Sequence, residues 1–197
     1  LECTPENLVH FAMMASVYAN AAYGIENPRV GLLNNGTEDH KGLQLQQEVN
    51  ALLKENKTVN YVGNVEGRDL MYGDIDVMVC DGFTGNIAIK SVEGCGKAVS
   101  SIMKREFKRN IFAKLRALLC MDIIKKIRGG LDYEAVGGAM FLGLQKAVVK
   151  GHGNSKARGF AVCIVQAANA VRGKMVERIS ENLATVMAAK EGNEQAE

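Results

Sequence analysis

The sequence predicts an α/β fold with a largely parallel sheet, and three observations lead to that prediction. Short apolar segments with the β-branched content of buried strands alternate with longer helical patterns. Polar, glycine-bearing turns follow these segments, as expected where parallel strands lead into helices. The 197 residues are 47% hydrophobic and 23% charged, which suits a globular domain with a substantial core. We therefore expect residues 1–197 to form one α/β domain.

Helix and strand signals place the elements of the N-terminal half. Thr4, Pro5 and Gly24 bracket the first helix as a hydroxyl N-cap, a first-turn proline and a glycine beyond the end. A second helix covers about residues 43–55. Apolar segments predict three strands, at residues 29–33, 61–62 and 75–80.

The remaining elements follow from turn and capping residues. Gly63 and Asn64 are turn formers after the second strand. Asn86 is a candidate N-cap for a long helix, with a break near residues 94–96. Residues 147–150 form a further strand, and Ser155 is positioned to cap one final helix that runs to about residue 190.

Cysteine usage and hydropathy limit the class of protein. The five cysteines are odd in number, scattered and without C-x-x-C spacing, so we expect reduced thiols, no disulfide framework and no metal site. No apolar run reaches the length of a membrane-spanning helix, and no secretory signal begins the chain, so a cytoplasmic location is expected. The chain begins at Leu1 with a ready-made helix start, which indicates an N-terminally incomplete domain.

A basic amphipathic segment at residues 100–128 is predicted to project from the α/β body. The net charge of the chain is only +2, yet residues 104–128 hold nine basic and two acidic residues. Such a helical surface either lies on anionic lipid or binds an acidic partner, or it is a dimerisation hairpin with a solvated charged rim. The residues expected to make this contact are Phe107, Lys108, Arg109, Ile111, Lys114, Leu115, Leu118 and Leu119.

Three glycine-rich loops are each predicted to open a helix from a strand end. Helix N-termini approached by such loops offer unpaired N–H groups and a partial positive charge, which suit a phosphate group. Plain connections between strands and helices have the same composition, so a single loop is not diagnostic, whereas three together favour a phosphate-handling crevice. The loop and neighbouring basic residues predicted to bind phosphate are Asn35, Gly36, Thr37, Lys41, Arg68, Gly82, Lys90, Gly153 and Ser155.

Three other positions carry side chains with possible chemistry. His152 is flanked by glycines at a predicted strand end, where it is either a general acid or base or a structural residue. Cys80 precedes Asp81, whose charge disfavours a thiolate, so we expect an inert buried thiol. Glu66 and Asp69 share one loop, where hydrogen bonds to turn N–H groups are expected.

Several blocks of sequence, in their joint order and spacing, closely resemble the bacterial phosphate acyltransferase family PlsX. The resemblance extends from Glu2 to the last helix. The blocks are P-R-V-G-L-L-N-N-G at residues 28–36, K-G at 41–42, G-N-V-E-G-R-D at 63–69, D-V-M-V-C-D-G-F-T-G-N at 76–86, G-G-A at 137–139 and K-G-H-G-N-S at 150–155.

The resemblance implies an enzyme that moves a fatty acyl group from acyl carrier protein to inorganic phosphate, giving acyl phosphate for phospholipid synthesis. It also implies a three-layer fold similar to phosphate acetyltransferases and to isocitrate and isopropylmalate dehydrogenases. Family members are homodimers that associate peripherally with the membrane, need no cofactor and carry a further N-terminal part, so this chain is expected to be the C-terminal larger part. Nucleic acid is not an expected partner.

The chemistry expected from the resemblance is direct attack of phosphate on the thioester carbonyl. Asn64, Asn86 and His152 are then the candidate donors to the oxyanion or of a proton. Two other functions compete with this interpretation. One is a metal- and NAD-dependent decarboxylating dehydrogenase on the related fold, although acidic clusters and a dinucleotide fingerprint are missing from the sequence. The other is a non-catalytic membrane or carrier-protein adaptor.

Overall fold

The computed structural model describes residues 2–130, 137–153 and 155–194. It has the α/β architecture that the sequence predicts. The helices are α1 (Pro5–Tyr23), α2 (Gln44–Glu55), α3 (Gly82–Lys108), α4 (Ile111–Leu119), α5 (Met121–Gly130), α6 (Ala157–Arg172) and α7 (Met175–Glu194), with a 3₁₀ helix at Gly67–Met71. The strands are β1 (Arg29–Asn34), β2 (Asn60–Glu66), β3 (Val77–Val79), β4 (Ala139–Phe141) and β5 (Val148–Lys150).

A three-stranded parallel sheet forms the centre of the structure, with β1 between β2 and β3. Its strands confirm the predicted parallel arrangement. The prediction of a turn at Gly63 and Asn64 is wrong, because both residues lie inside β2. The register between β1 and β2 shifts between Val30 and Gly31, and Gly63 adopts a φ of +104° opposite Gly31. A β-bulge, which a glycine accommodates, therefore stands where a turn was expected.

The main core lies between this sheet and the helices α1 and α2. Val30 and Leu32 are two positions apart along β1, so their side chains lie on the same face of the sheet, and both are fully buried. Val49 and Leu53 of α2, together with Leu8 and Met13 of α1, pack in the same cluster. α1 begins and ends as predicted: Thr4 accepts a hydrogen bond from the Asn7 amide, and Gly24 closes the helix in the left-handed region.

The predicted strand at residues 147–150 forms, but it does not join the parallel sheet. β5 (Val148–Lys150) pairs antiparallel with β4 (Ala139–Phe141) in a separate two-stranded ladder. Close approach of the two strands explains Gly138, since a Cβ there would lie 2.4 Å from the carbonyl oxygen of Lys150. A second core cluster of Met14, Ala170, Met175 and Ile179 packs with Met140 and Leu142 from this ladder.

Two predictions about the long helix are wrong. Asp81 is the N-cap of α3, so Asn86 lies within the helix and not before it. The helix also continues through Gly94 and Gly96 to Lys108 without the predicted break. An interior glycine costs only about 1 kcal/mol, which a helix of this length tolerates. The predicted amphipathic segment at residues 100–128 consists of three helical pieces, namely the end of α3, α4 and most of α5.

The C-terminal region contains two helices instead of the single predicted one. α6 ends at Arg172, and Lys174 adopts a φ of +50° before α7 begins. Ser155 is not the cap, because the N-cap position of α6 is Lys156, which makes no side-chain capping bond. α7 packs against α1 and α6, and these contacts hold the C-terminal region against the core.

Candidate functional site

Parallel pairing brings two of the three predicted glycine-rich loops, at residues 35–37 and 81–86, to one edge of the sheet together with the turn that carries Arg68. The third loop, at residues 151–155, follows β5 of the separate ladder, so the predicted convergence of all three loops at one edge is wrong. Asn34 at the end of β1 is in register with Glu66 at the end of β2, and Leu32 is in register with Val79 at the end of β3. The carboxyl ends of parallel strands lie at a common edge, where ligands bind in open α/β sheets. This sheet edge therefore carries the loop after β1, the turn with Arg68 and the N-terminus of α3.

The loop after β1 is a compact, self-bonded turn. Asn34 accepts a hydrogen bond from the Asn35 amide at 2.8 Å and donates to the Lys41 carbonyl oxygen at 3.1 Å. Gly36 is buried beneath the Lys41 side chain, since a Cβ at Gly36 would lie 2.8 Å from Lys41 Cγ. Thr37 is exposed. These contacts hold the loop together, with Thr37 exposed and with the Lys41 stem and a Glu38 carboxylate oxygen next to Gly36.

Asn64 lies beneath this loop and not at the surface. Its Nδ2 donates to the Glu38 carbonyl oxygen at 3.0 Å, and the residue is only 6% exposed. Its Oδ1 is buried without a hydrogen-bond partner among the described residues. In this arrangement Asn64 ties β2 to the loop after β1, and one of the two N–H groups of its side-chain amide is engaged there.

The turn after β2 is held by acidic side chains. Asp69 Oδ2 accepts a hydrogen bond from the Glu66 amide at 2.8 Å, as the sequence predicts for this turn. Glu66 forms a charged hydrogen bond with Arg68. The Arg68 side chain is 71% exposed, so its guanidinium group is accessible from solvent at the sheet edge.

The N-terminus of α3 is occupied by a carboxylate. Asp81 Oδ1 accepts hydrogen bonds from the Phe83 and Thr84 amides, both at 2.9 Å, and Oδ2 accepts one from the Thr84 hydroxyl. Burial alone would raise the pKa of Asp81, but these hydrogen bonds outweigh burial and lower the pKa below its ordinary value. The charge of Asp81 thus offsets the positive end of the helix beside Gly82, while Asn86 is exposed one turn further on.

Lys90 and His152 meet away from the sheet edge, at Glu93. Lys90 Nζ lies 3.0 Å from Glu93 Oε2, and His152 Nε2 lies 4.0 Å from Glu93 Oε1. Lys90 stands eight residues beyond Gly82, so the two are about 12 Å apart along the helix axis. Sequence reasoning missed Glu93, although its spacing three residues after Lys90 is a signal for a paired side chain on one helix face.

The loop after β5 places His152 next to α3. Ser155 donates its backbone amide to the His152 carbonyl oxygen at 2.9 Å, which closes the loop into a turn. Gly153 is exposed, with open space around it. Asn154 of the predicted motif lies outside the described residues. The structure therefore divides the predicted site into the sheet edge and a second group made of Lys90, Glu93 and His152.

Cys80 has the character of an unreactive thiol. Burial raises its pKa to about 11, with smaller contributions from Asp81 and Cys3. A Cβ on Gly85 would lie 2.9 Å from its sulfur, so the thiol is packed under the first turn of α3. A thiol with this pKa is almost entirely protonated at neutral pH, which agrees with the sequence prediction.

An apolar groove of about 300 Å³ lies beside the end of β3. Phe11 and Met14 of α1 form one wall, and Met140 and Leu142 form another. Cys80 lines the same groove directly before Asp81. Among the residues that the structure describes, no group of three or more His, Cys, Asp or Glu side chains is arranged to hold a metal ion.

The apolar side chains of α4 remain at the surface. Exposure of 70% for Phe112 and 78% for Leu119 is far above that of a core residue, and Phe107 near the end of α3 is half-buried. Ile111, Leu115 and Leu118 are also exposed, as are Lys108, Arg109 and Lys114. Within residues 2–130, 137–153 and 155–194, no helix has both the length and the hydropathy needed to span a membrane.

Comparison with known proteins gives consistent matches along most of the chain. The family model described as "Fatty acid synthesis protein" matches residues 1–178. A phosphate acyltransferase of Caldanaerobacter subterraneus subsp. tengcongensis is 47% identical over 182 residues, which are 92% of this chain and 54% of that protein. The corresponding enzyme of Thermoanaerobacter pseudethanolicus is 47% identical over 181 residues, covering 92% and 54%. That of Helicobacter hepaticus is 43% identical over 183 residues, covering 93% and 54%. The chain spans about half the length of these curated relatives.

Proposed function

Because this chain belongs to the fatty acid synthesis protein family, we propose that its protein transfers a fatty acyl group to inorganic phosphate, with acyl carrier protein as the donor. The observation that carries the proposal is the match of 92% of the chain to relatives named phosphate acyltransferase. The acyl phosphate produced would serve phospholipid synthesis. We also propose that residues 1–197 belong to one α/β domain with the three-layer fold of the isocitrate dehydrogenase type.

The proposed reaction needs no covalent enzyme intermediate. A phosphate oxygen attacks the thioester carbonyl carbon and forms a C–O bond. The C–S bond then breaks, and the carrier thiolate leaves and takes up a proton. Since a thiolate is a good leaving group, the protein mainly positions phosphate and stabilises the oxyanion.

The sheet edge offers groups for both substrates. Arg68 is exposed there but paired with Glu66, and the Lys41 stem lies over Gly36 beside a Glu38 carboxylate oxygen. A phosphate at the rim of the loop after β1 would therefore compete with these two carboxylates for the two cations. The amides of Phe83 and Thr84 already donate to the carboxylate of Asp81. We therefore propose the amide of Gly82 as the donor to a phosphate oxygen at this end of α3. An acyl chain requires apolar surface, and the groove that Cys80 lines begins one residue before Asp81.

A phosphate-dependent deacylation assay with acyl carrier protein tests this function on the intact gene product. We expect acyl phosphate to form only when phosphate is present. Loss of one oxyanion donor typically costs about a hundredfold or more in turnover, so His152→Ala and Asn86→Ala are expected to fall in that range. If both variants keep wild-type turnover, this placement of the chemistry is wrong. Thermal stabilisation by NAD with magnesium, and not by phosphate, would instead favour a dehydrogenase.

We further propose that α4 and the end of α3 contact an anionic membrane surface, which would make the protein peripherally membrane-associated. We also propose that the protein is cytoplasmic and dimeric. The exposed apolar residues lie among basic ones, which is the composition of a helix at a lipid interface. Liposome flotation tests this with Leu115→Glu and Leu119→Glu, which are expected to reduce binding. Leu144→Glu is the matched control, because Leu144 is 48% exposed outside this segment. Unchanged flotation of the first two variants would refute the lipid contact and favour a carrier-protein or dimer surface.

A further inference from the structure

Glu93 joins two elements that carry predicted site residues. One carboxylate oxygen lies 3.0 Å from Lys90 Nζ on the same helix. The other lies 4.0 Å from His152 Nε2, in the loop between β5 and α6. The side chains of Glu93 and His152 are 20% and 32% exposed, so the contact is partly shielded from solvent.

The charges around Glu93 keep it ionised. The hydrogen bond from Lys90 lowers the pKa of the Glu93 carboxyl most, burial opposes this, and the charges of Lys90, His152 and Lys97 lower it further. Lys90 and Lys97 approach from α3, and His152 approaches from the loop. A carboxylate is therefore present at neutral pH to orient both the ammonium group and the imidazole.

A role in stability alone does not account for this arrangement. Partly exposed ion pairs contribute little to the free energy of folding. The same contacts can still determine where the His152 and Lys90 side chains lie. His152 lies in the loop after β5, and its contact with Glu93 ties that loop to α3. Lys90 carries a flexible stem with 56% of its side chain exposed.

We propose that Glu93 is the positioning residue that holds His152 and Lys90 in one site, an inference that rests on the proposed acyl transfer to phosphate. The carboxylate accepts from Lys90 and draws the His152 imidazole toward α3, which fixes the direction of its ring. His152 can then present a proton donor, and Lys90 a cation, to a substrate that extends from the sheet edge along α3. Glu93 itself touches neither phosphate nor thioester.

Turnover of Glu93→Gln on the intact gene product tests the proposal. We expect kcat/KM for phosphate-dependent acyl transfer to fall by roughly 10- to 100-fold, since a misplacement of about 1 Å can cost about 100-fold. Glu93→Asp, which keeps the charge, should recover part of this loss. Glu48→Gln is the matched control, because Glu48 also accepts a hydrogen bond from a side chain of its own helix, Gln44 Nε2 at 2.7 Å, and lies in none of the proposed contact surfaces. Its turnover should stay within about twofold of wild type.

A double variant separates positioning from a merely structural effect. If Glu93 acts through His152, Glu93→Gln should cost less in the His152→Ala background than in wild type, leaving only the part that acts through Lys90. Additive losses would overturn the proposal, as would a Glu93→Gln enzyme with wild-type turnover. Should Glu93→Gln fail to fold, the same cycle with Glu93→Asp gives the same two outcomes.

Hydrogen exchange provides a readout that does not depend on activity. The Ser155 amide donates to the His152 carbonyl oxygen, so a released loop should exchange this amide faster in Glu93→Gln than in the Glu48→Gln control. Equal exchange in the two variants would overturn the positioning role. A wild-type protein without phosphate-dependent transfer, yet with faster exchange in Glu93→Gln, would refute the proposed function and leave the positioning of His152 standing.

Discussion

Replacing Asp81 by alanine removes the group that closes the N-terminus of α3 at the sheet edge. The Asp81 carboxylate accepts from the Phe83 amide, the Thr84 amide and the Thr84 hydroxyl. In the alanine variant, two helix-end amides lose their protein partner. Because α3 has no buried residues along its length, packing offers little compensation.

The expected cost is about 2 kcal/mol in the free energy of unfolding, the upper end of the range for replacing an N-cap residue by alanine. Asp81 reaches that end because it accepts three hydrogen bonds and its charge interacts favourably with the helix dipole. For a chain of this length, about 1 kcal/mol shifts the melting temperature by about 2–4 °C, so a decrease of about 4–8 °C is expected.

Thermal unfolding followed by circular dichroism measures this effect. Asp81→Asn keeps an acceptor without the charge and should lose only part of the stability. Thr4→Ala is the matched cap variant on α1, where the side chain accepts one hydrogen bond at 3.3 Å, and its loss should be smaller. A melting temperature of Asp81→Ala that equals wild type at pH 7 would refute the reasoning.

The pH dependence provides a second check with a defined sign. The pKa of Asp81 is lowered from its ordinary value of 3.8, so its stabilisation is complete above that pH. The contribution is lost as pH falls through the lower pKa of the folded state, because the unfolded state then binds the proton first. The difference between wild type and Asp81→Ala should therefore shrink below about pH 4. A constant difference from neutral to strongly acidic pH would contradict this assignment.

Two further predictions concern packing in the sheet and cysteine reactivity. Gly31→Ala should destabilise the fold by about 1–3 kcal/mol, because its Cβ would lie 2.6 Å from Val65 Cγ1. Gly67→Ala, which meets nothing within 4 Å, should be neutral or slightly stabilising in the same urea titration, and equal effects of the two would contradict the close approach. Iodoacetamide at pH 7 should label the exposed Cys95 well before Cys80, whose pKa is raised to about 11. Mass spectrometry of timed samples measures the order, and labelling of Cys80 first would contradict the prediction.

Local sequence signals determined the elements whose boundaries depend on neighbouring residues. Thr4, Pro5 and Gly24 set both ends of α1, because capping is a matter of a few adjacent backbone groups. The apolar segments of β1 and β3 could be predicted from the sequence equally well, since β-branched and aliphatic runs between polar turns are typical of buried strands. The same local reading identified the turn bond between Glu66 and Asp69 and the inert character of Cys80.

Local signals failed where a pairing between distant segments decides the conformation. Gly63 and Asn64 have the composition of a turn, yet pairing with β1 keeps them in a strand through a bulge. Asn86 and Asp81 are both good capping residues, and the end of β3 decides which of them starts α3. The strand at β5 was visible, but its antiparallel partner was not.

The chain by itself therefore determined the elements, the family resemblance and the residue types available for phosphate chemistry. Only the tertiary structure decided which of these residues meet. It placed Asn64 beneath the loop after β1, and it brought His152 to Glu93 across more than fifty positions of sequence. The physical reason is that side-chain contacts between elements depend on register and helix placement, which no short window of sequence encodes.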